Sequence, residues 1–172
     1  MITLVLGGSK CGKSRVAEEL LNRFNGKKFY VATMQPYGSE AHAAIERHRK
    51  MRSGKYFETI EKYTDIDELD LPYDCAVLLE CMGNLCANEM FCDGDCSCPV
   101  NKIVSGIEML SESVSELVIV SNDVGSDGIS YDEGTMKYIA AMGEINCRIS
   151  SISDNVIECI YGIPVVLKGE LT

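Results

Sequence analysis

The chain has 172 residues, and its 26 acidic against 16 basic side chains give it a formal net charge of −10. This balance argues against a nucleic-acid partner, because phosphate backbones are bound by clustered Lys and Arg. No apolar stretch approaches the length of a bilayer span and the N-terminus has no signal-peptide layout, so we expect a cytoplasmic protein. The length is that of one domain, which we expect to cover residues 1–172.

Strand-like and helix-like patterns alternate along the chain. We predict strands at residues 2–6, 28–33, 56–60, 75–80 and 117–121, and a terminal hairpin that pairs 156–161 with 164–167. Helices are predicted at 13–24, 39–52, 84–91, 100–115 and 132–152. Several strands are continuous apolar runs, as in parallel strands buried on both faces. The pattern predicts a three-layer α/β fold with a mostly parallel sheet and a C-terminal β-hairpin.

The first strand leads into a glycine-rich loop. Residues Gly7-Gly8-Ser9-Lys10-Cys11-Gly12-Lys13-Ser14 match the pattern G-x-x-x-x-G-K-[ST] at every position and precede a predicted helix. In such a P-loop the backbone N–H groups face phosphate oxygens, the lysine reaches the outer phosphates and the serine hydroxyl binds Mg²⁺. We therefore expect a nucleoside triphosphate site in a P-loop NTPase-like fold of the RecA-like type.

Further candidate residues follow the other strands, because ligands of parallel sheets bind outside the carboxyl ends of the strands. Glu80 ends the apolar run Cys75–Leu79, the position of a carboxylate that acts on Mg²⁺-bound water or binds a nucleotide hydroxyl. Thr33 and Met34 follow the second strand, and Glu61 follows the third. We expect Ser14 and Glu80 to be the residues on the metal side of the site.

His48 lies in a predicted helix, inside the only dense basic cluster of this acidic chain. Arg47, Arg49, Lys50 and Arg52 surround it in the sequence. These charges favour the neutral, nucleophilic imidazole and also neutralise a triphosphate. His48 can then form a covalent phosphoramidate that divides one transfer into two. A histidine on a helix is, however, more often a surface or core residue.

Seven segments in order along nearly the whole chain resemble one family. They are Leu6-Gly7-Gly8-Ser9-Lys10-Cys11-Gly12-Lys13-Ser14-Arg15, Tyr30-Val31-Ala32-Thr33, Ile45-x-x-His48-Arg49-x-x-Arg52, Glu58-Thr59-Ile60-Glu61, Leu78-Leu79-Glu80-Cys81, Ser121-Asn122-Asp123-Val124-Gly125 and Gly143-x-x-Asn146-x-Arg148. In these motifs the chain is similar to the bifunctional adenosylcobinamide kinase / adenosylcobinamide-phosphate guanylyltransferases of cobalamin biosynthesis.

The resemblance implies two reactions at one site. A nucleoside triphosphate, GTP or ATP, phosphorylates adenosylcobinamide, and GMP then passes from GTP through His48 to adenosylcobinamide phosphate. It implies Lys13 as a catalytic residue together with His48, and a homo-oligomer, a trimer. The nucleotide contacts that it implies beyond the P-loop are Ala32, Thr33, Met34, Arg49, Lys50, Met51, Arg52, Glu61 and Glu80.

Two other functions stay open at the level of the sequence. The first is a small-molecule kinase on the same scaffold, in which His48 is only a cation beside the phosphates. The second is a nucleotide-binding regulatory or metal-sensing module that uses Cys92, Cys96 and Cys98. The spacing of these cysteines differs from the paired C-x₂-C of structural zinc sites, so we expect free thiols in a reducing compartment.

Overall fold

The computed structural model describes residues 1–36, 38, 46, 56–91 and 99–170. Short 3₁₀ turns lie at Leu21–Arg23 and Ile66–Glu68. The strands and longer helices are β1 (Ile2–Leu6), α1 (Lys13–Leu20), β2 (Lys27–Ala32), β3 (Phe57–Glu61), β4 (Cys75–Leu79), α2 (Met82–Phe91), α3 (Pro99–Ser113), β5 (Glu116–Val120), α4 (Glu133–Ile152), β6 (Asn155–Ile160) and β7 (Ile163–Lys168).

The strands form one seven-stranded sheet in the order β3-β2-β4-β5-β1-β6-β7. All neighbours are parallel except β6 and β7, which form an antiparallel hairpin. β1 lies inside the sheet, where Leu4 is opposite Ile119 of β5 on one side and Val156 of β6 on the other. β5 separates β1 from β4. The prediction of a mostly parallel sheet with a C-terminal hairpin is confirmed.

The central strands are buried on both faces, which explains their continuous apolar sequence. On one face, side chains such as Leu4, Val77 and Ile119 pack in a core with α2, α3 and α4. On the other, Val5 and Leu78 pack with α1. Helices therefore cover both faces, and the predicted three-layer α/β, P-loop NTPase-like fold is confirmed.

Several predicted boundaries are wrong by a few residues. The helix predicted at 13–24 ends at Leu20 and continues as the 3₁₀ turn, because the chain has to reverse direction before β2 begins at Lys27. Helix α2 begins at Met82 rather than at residue 84. Thr33 and Glu80, predicted to end strands, lie just beyond β2 and β4. The helix predicted at 39–52 lies outside the described residues except for Glu46, which is helical.

The ends of α4 and of the hairpin follow local rules. Asp132 caps α4, since its carboxylate accepts hydrogen bonds from the Thr135 backbone N–H at 3.0 Å and from the Thr135 hydroxyl. Tyr161 and Gly162 connect β6 to β7 with φ values of 49° and 83°, and positive φ at both positions is typical of a two-residue type I′ turn. Among the described residues, no helix combines the length and apolar character that crossing a bilayer requires.

Candidate functional site

The glycine-rich loop connects β1 to α1 in a conformation that glycine makes possible. Gly7 has φ of 145° and Gly12 has φ of 101°, values that residues with a side chain rarely adopt. A Cβ on Gly7 would lie 2.6 Å from the carbonyl oxygen of Cys159 and 2.9 Å from the Sγ of Cys11. The loop therefore packs directly against β6, and its first glycine leaves no room for a methyl group.

Lys13 lies inside this loop. Its side chain is buried, and its ammonium group donates hydrogen bonds to the carbonyl oxygens of Gly7, at 2.8 Å, and Gly8. Helix α1 begins here with Gly12 as its N-cap, without a capping side chain and without an acidic residue in its first turn. The first N–H groups of α1 and the positive end of its dipole therefore face the loop beside Lys13, which favours an anion.

The C-terminal hairpin supports the loop from the other side. The carbonyl oxygen of Cys11 accepts hydrogen bonds from the Gly162 N–H at 2.8 Å and from the Cys159 thiol at 3.1 Å. Arg15 donates to the Gly162 carbonyl at 2.9 Å. Burial, and next the neighbouring Cys11, raise the pKa of the Cys159 thiol, which keeps it protonated as a donor. These contacts were not predicted from the sequence, since nothing in the local pattern places β6 beside β1.

A cleft of about 860 Å³ opens between the loop and the hairpin, lined by residues 8–12 and 158–162. Its volume lies in the range of small-molecule sites, which is roughly 300–1,000 Å³. The phosphate loop thus forms one wall of a cleft on the β6–β7 side of β1, whereas the candidate nucleotide residues that follow β4, β2 and β3 lie on the opposite side of β1.

The residues after β4 and β2 meet at the same edge of the sheet. Glu80 is buried, and its N–H donates to the Val31 carbonyl oxygen at 3.0 Å. Thr33 is fully buried, and its hydroxyl donates to the Cys81 carbonyl oxygen at 2.8 Å. Burial raises the pKa of the Cys81 thiol, and both Glu80 and Lys13 lie near enough to Cys81 to act on it electrostatically. Hydrogen bonds therefore link the end of β2 and the residue just beyond it to Glu80 and Cys81 just beyond β4.

The loop after β5 joins the P-loop to helix α4. The N–H of Asp123 donates to the Gly7 carbonyl oxygen at 3.1 Å. Asn146 of α4 holds this loop twice: it accepts from the Ser121 hydroxyl at 2.6 Å and donates to the Asn122 carbonyl oxygen at 3.1 Å. The motifs at 121–125 and 143–148 are thus in direct contact, although about twenty residues separate them in the sequence.

The loops after β2 and β3 are bridged by a residue that the sequence analysis did not select. The side-chain amide of Asn88, in α2, donates to the carbonyl oxygens of Thr33 at 2.8 Å and Tyr63 at 2.9 Å. The Tyr63 hydroxyl donates to the carboxylate of Glu61 at 3.0 Å. The sequence did offer one signal for Asn88: it is a polar residue within the mostly apolar helix that follows β4.

The strand order sets how far these groups lie from the P-loop. At about 4.8 Å per strand, β4 with Glu80 is about 10 Å from β1, β2 with Thr33 about 14 Å, and β3 with Glu61 about 19 Å. Exposed Glu61 and half-buried Met34 are therefore brought to the same edge as the P-loop, but not into contact with it. Five predicted site residues lie outside the described residues: His48, Arg49, Lys50, Met51 and Arg52.

The donor atoms at this edge suit Mg²⁺. Ser14, half-buried at the start of α1, offers a hydroxyl oxygen, and Glu80 offers a carboxylate. Mg²⁺ takes such hard oxygen ligands, usually one or two from the protein with the rest from phosphates and water. In the described part of the chain no group of three or more His, Cys, Asp or Glu side chains is arranged to hold a metal, and a site of this kind needs none.

Comparison with known proteins shows the family of this chain. The model of the family described as "Cobinamide kinase / cobinamide phosphate guanyltransferase" matches residues 3–167. The chain belongs to this family. A bifunctional adenosylcobalamin biosynthesis protein CobU of Escherichia coli K12 is 30% identical to it over 183 residues, which cover 98% of this chain and 100% of that protein.

Two other bifunctional adenosylcobalamin biosynthesis proteins are similar to the chain over nearly its full length. The CobU protein of Salmonella typhimurium LT2 is 30% identical over 183 residues, covering 98% of this chain and 100% of that protein. The CobP protein of Pseudomonas aeruginosa PAO1 is 27% identical over 173 residues, covering 99% of each.

Proposed function

We propose that this chain, acting as a single domain, is an adenosylcobinamide kinase and adenosylcobinamide-phosphate guanylyltransferase of cobalamin biosynthesis. The observation that carries the proposal is the family match over residues 3–167, which includes a P-loop with its lysine buried among the loop carbonyls. The substrates are adenosylcobinamide, its phosphate, and GTP or ATP.

The first reaction is a phosphoryl transfer. The P-loop N–H groups and Lys13 hold the β- and γ-phosphates of the nucleotide, and the aminopropanol hydroxyl of adenosylcobinamide attacks the γ-phosphorus. The bond from the γ-phosphorus to the β–γ bridging oxygen breaks, the hydroxyl proton is lost, and a nucleoside diphosphate leaves. Positioning and charge stabilisation supply most of the catalysis in such reactions, and the loop provides both.

The second reaction is a nucleotidyl transfer through His48. The imidazole attacks the α-phosphorus of GTP, a P–N bond forms, and pyrophosphate leaves while the P-loop and Lys13 hold its charge. The phosphate of adenosylcobinamide phosphate then attacks the same phosphorus. The P–N bond breaks, His48 is restored, and adenosylcobinamide-GDP is released.

Ser14 and Glu80 are the residues that we propose to hold Mg²⁺, which when bound neutralises phosphate charge. The other nucleotide contacts that we propose are Ala32, Thr33, Met34, Glu61 and residues 49–52. We further propose that the enzyme works in the cytoplasm as a homo-oligomer, a trimer. All six cysteines in the described part of the chain are free thiols, which suits a reducing compartment.

The test is covalent labelling by GTP. With Mg²⁺ and α-³²P-labelled GTP, the protein should retain label that is acid-labile and base-stable, and γ-³²P-labelled GTP should leave none. His48→Ala should abolish the label, whereas His42→Ala, which alters the other of the two histidines, should retain it. An absence of label on the wild-type protein would refute the guanylyl-histidine step.

The same assay separates the kinase-only alternative. If His48→Ala still phosphorylates adenosylcobinamide, and neither protein transfers GMP, the chain is a small-molecule kinase in which His48 has no covalent role. If the wild-type protein is labelled and passes the label to adenosylcobinamide phosphate, that alternative is refuted.

A further inference from the structure

Helix α2 holds two loops of the site together through a single side chain. Asn88 donates one hydrogen bond to the carbonyl oxygen of Thr33, just after β2, and one to that of Tyr63, just after β3. These strands are neighbours at the edge of the sheet farther from β1. One amide therefore fixes the spacing between the two loops where the chain leaves the sheet.

The helix that carries Asn88 is itself firmly held. Leu85 and Cys86, one turn before, are fully buried in the core. Glu89, next to Asn88, is buried and accepts a hydrogen bond from the Asp65 N–H at 2.8 Å, and it pairs with Lys102 of α3 at 2.6 Å. Asn88 is thus anchored on a rigid element rather than on either of the loops that it joins.

The contacts continue from the amide to the proposed nucleotide residues. The carbonyl that Asn88 binds on one side belongs to Thr33, whose hydroxyl reaches the Cys81 carbonyl oxygen beside Glu80. On the other side it belongs to Tyr63, whose hydroxyl binds the Glu61 carboxylate. A displacement of Asn88 would therefore move Thr33 and Tyr63. It would leave the P-loop untouched, because the P-loop follows β1, three strands from β2.

We propose that Asn88 is a positioning residue that holds the loops after β2 and β3 in the arrangement that binds the nucleoside end of the nucleotide. The inference rests on the proposed function, in which the P-loop binds the phosphates and Thr33, Met34 and Glu61 are further nucleotide contacts. Because β2 and β3 lie about 14 Å and 19 Å from β1, we assign these residues to the nucleoside end. Asn88 does not touch the nucleotide. It acts through the two carbonyl groups, and therefore through the backbone of the loops.

The experiment compares two probes by isothermal titration calorimetry with Mg²⁺ present. GTP engages both parts of the site, whereas inorganic tripolyphosphate engages only the phosphate loop. Asn88→Ala removes both hydrogen bonds, and Asn88→Asp replaces the donor by a carboxylate that faces two carbonyl oxygens. We expect the affinity for GTP to fall about tenfold in Asn88→Ala and further in Asn88→Asp, while the affinity for tripolyphosphate stays within about twofold.

Two further variants complete the experiment, one for the case that the first two Asn88 variants do not fold and one as a control. Asn88→Gln keeps a side-chain amide at this position but moves it by one methylene group, so it should also weaken GTP binding selectively and provides the test if Asn88→Ala and Asn88→Asp fail to fold. Asn101→Ala is the matched control, because Asn101 is an exposed amide on α3 whose hydrogen bond, accepted from Arg148 at 2.7 Å, does not involve Thr33 or Tyr63. It should bind both probes like the wild type.

The outcomes distinguish this inference from the proposed function. Equal weakening of both probes in the Asn88 variants would mean that Asn88 only stabilises the fold, and unchanged GTP binding would mean that it positions nothing; either result overturns the inference. A wild-type protein that binds GTP no more tightly than tripolyphosphate would overturn it too. A wild-type protein that binds GTP selectively but is never labelled by α-³²P-labelled GTP would instead refute the proposed guanylyl transfer alone.

Discussion

Gly7→Ala adds one methyl group at the most restricted point of the phosphate loop. The new Cβ would lie 2.6 Å from the Cys159 carbonyl oxygen, which is a backbone atom of β6 and cannot rotate away. It would also lie 2.9 Å from the Cys11 Sγ, which can move. In addition, φ of 145° at this position is unfavourable for any residue with a side chain.

The free-energy costs of the backbone conformation and of the steric contact can be added to give an order of magnitude. A non-glycine residue in a sparsely populated backbone region costs about 1–3 kcal/mol. Insertion of a methyl group into a packed contact costs about 1–3 kcal/mol more. We therefore expect Gly7→Ala to lower the free energy of unfolding by about 2–6 kcal/mol. A loss of about 3 kcal/mol, at a denaturant slope of about 2 kcal/mol per molar urea, moves the unfolding midpoint down by about 1.5 M.

Gly8→Ala is the matched control for stability. Gly8 is exposed, its φ is not positive, and a Cβ there would meet no atom within 4 Å, so its unfolding free energy should stay within about 0.5 kcal/mol of the wild type. Urea unfolding followed by circular dichroism measures both variants, and calorimetry with tripolyphosphate should show weaker binding by Gly7→Ala. Equal midpoints for the two variants would refute the reasoning.

Four other outcomes follow from single contacts. Lys13→Ala should weaken tripolyphosphate binding and slow both transfers about 100-fold, because it removes the cation that we propose to face the leaving group. Lys102→Ala removes Lys102 as the ion-pair partner of the Glu89 carboxylate, which is 1% exposed. Because Lys102 itself is 37% exposed, we expect a loss of about 2–3 kcal/mol of unfolding free energy, below the range for fully buried pairs. Asp132→Ala removes the cap of α4 and should cost about 1 kcal/mol. The hydrogen bond from Lys102 holds the pKa of Asp65 below its ordinary value of 3.8. The ionised Asp65 therefore stabilises the fold fully above pH 3.8, and this stabilisation is lost as the pH falls through the lower pKa of the folded protein. Urea unfolding between pH 5 and 2 should accordingly show a weaker acid dependence in Asp65→Asn.

Each of these four has a result that contradicts it. Unchanged rates in Lys13→Ala would mean that the loop is not the catalytic phosphate site. The wild-type midpoint in Lys102→Ala would mean that the Glu89 carboxylate is satisfied without it. A value for Asp132→Ala equal to the wild type would show that the first turn of α4 has other support. Parallel acid profiles for Asp65→Asn and the wild type would show that the ion pair with Lys102 has no influence on folding.

Much of the fold was predictable because its signals are local. The buried strands have continuous apolar sequences, and the P-loop has a fixed pattern of glycines between a strand and a helix. Gly162 and Pro164 interrupt the last apolar run, so the hairpin was predicted within one residue at each end, although Tyr161 was predicted in the strand and lies in the turn. These elements depend on the properties of neighbouring residues, and such properties can be seen in a sequence.

The contacts that complete the site were not predictable in the same way. Nothing near Ile2–Leu6 indicates that β5 and β6 flank it, so the contact of Gly7 with Cys159 appears only in three dimensions. The role of Asn88 was equally hidden, since its hydrogen-bond partners lie 25 and 55 residues away in the sequence. Known motifs in the sequence identified the chemical groups that we expect to face a ligand, but not the residues that hold those groups in place.

The position of β1 has a consequence for how the protein is made. Its two neighbours, β5 and β6, begin at Glu116 and Asn155, so both are synthesised long after it. At about 5–20 residues per second the ribosome needs roughly 6–23 s to pass from β1 to β5, and more to reach the hairpin that supports the phosphate loop. Until then β1 is an apolar strand without a partner, which is exposed to incorrect pairing. The phosphate loop is synthesised early, but its hydrogen bonds with Cys159 and Gly162 can form only after the last strands of the sheet have been made.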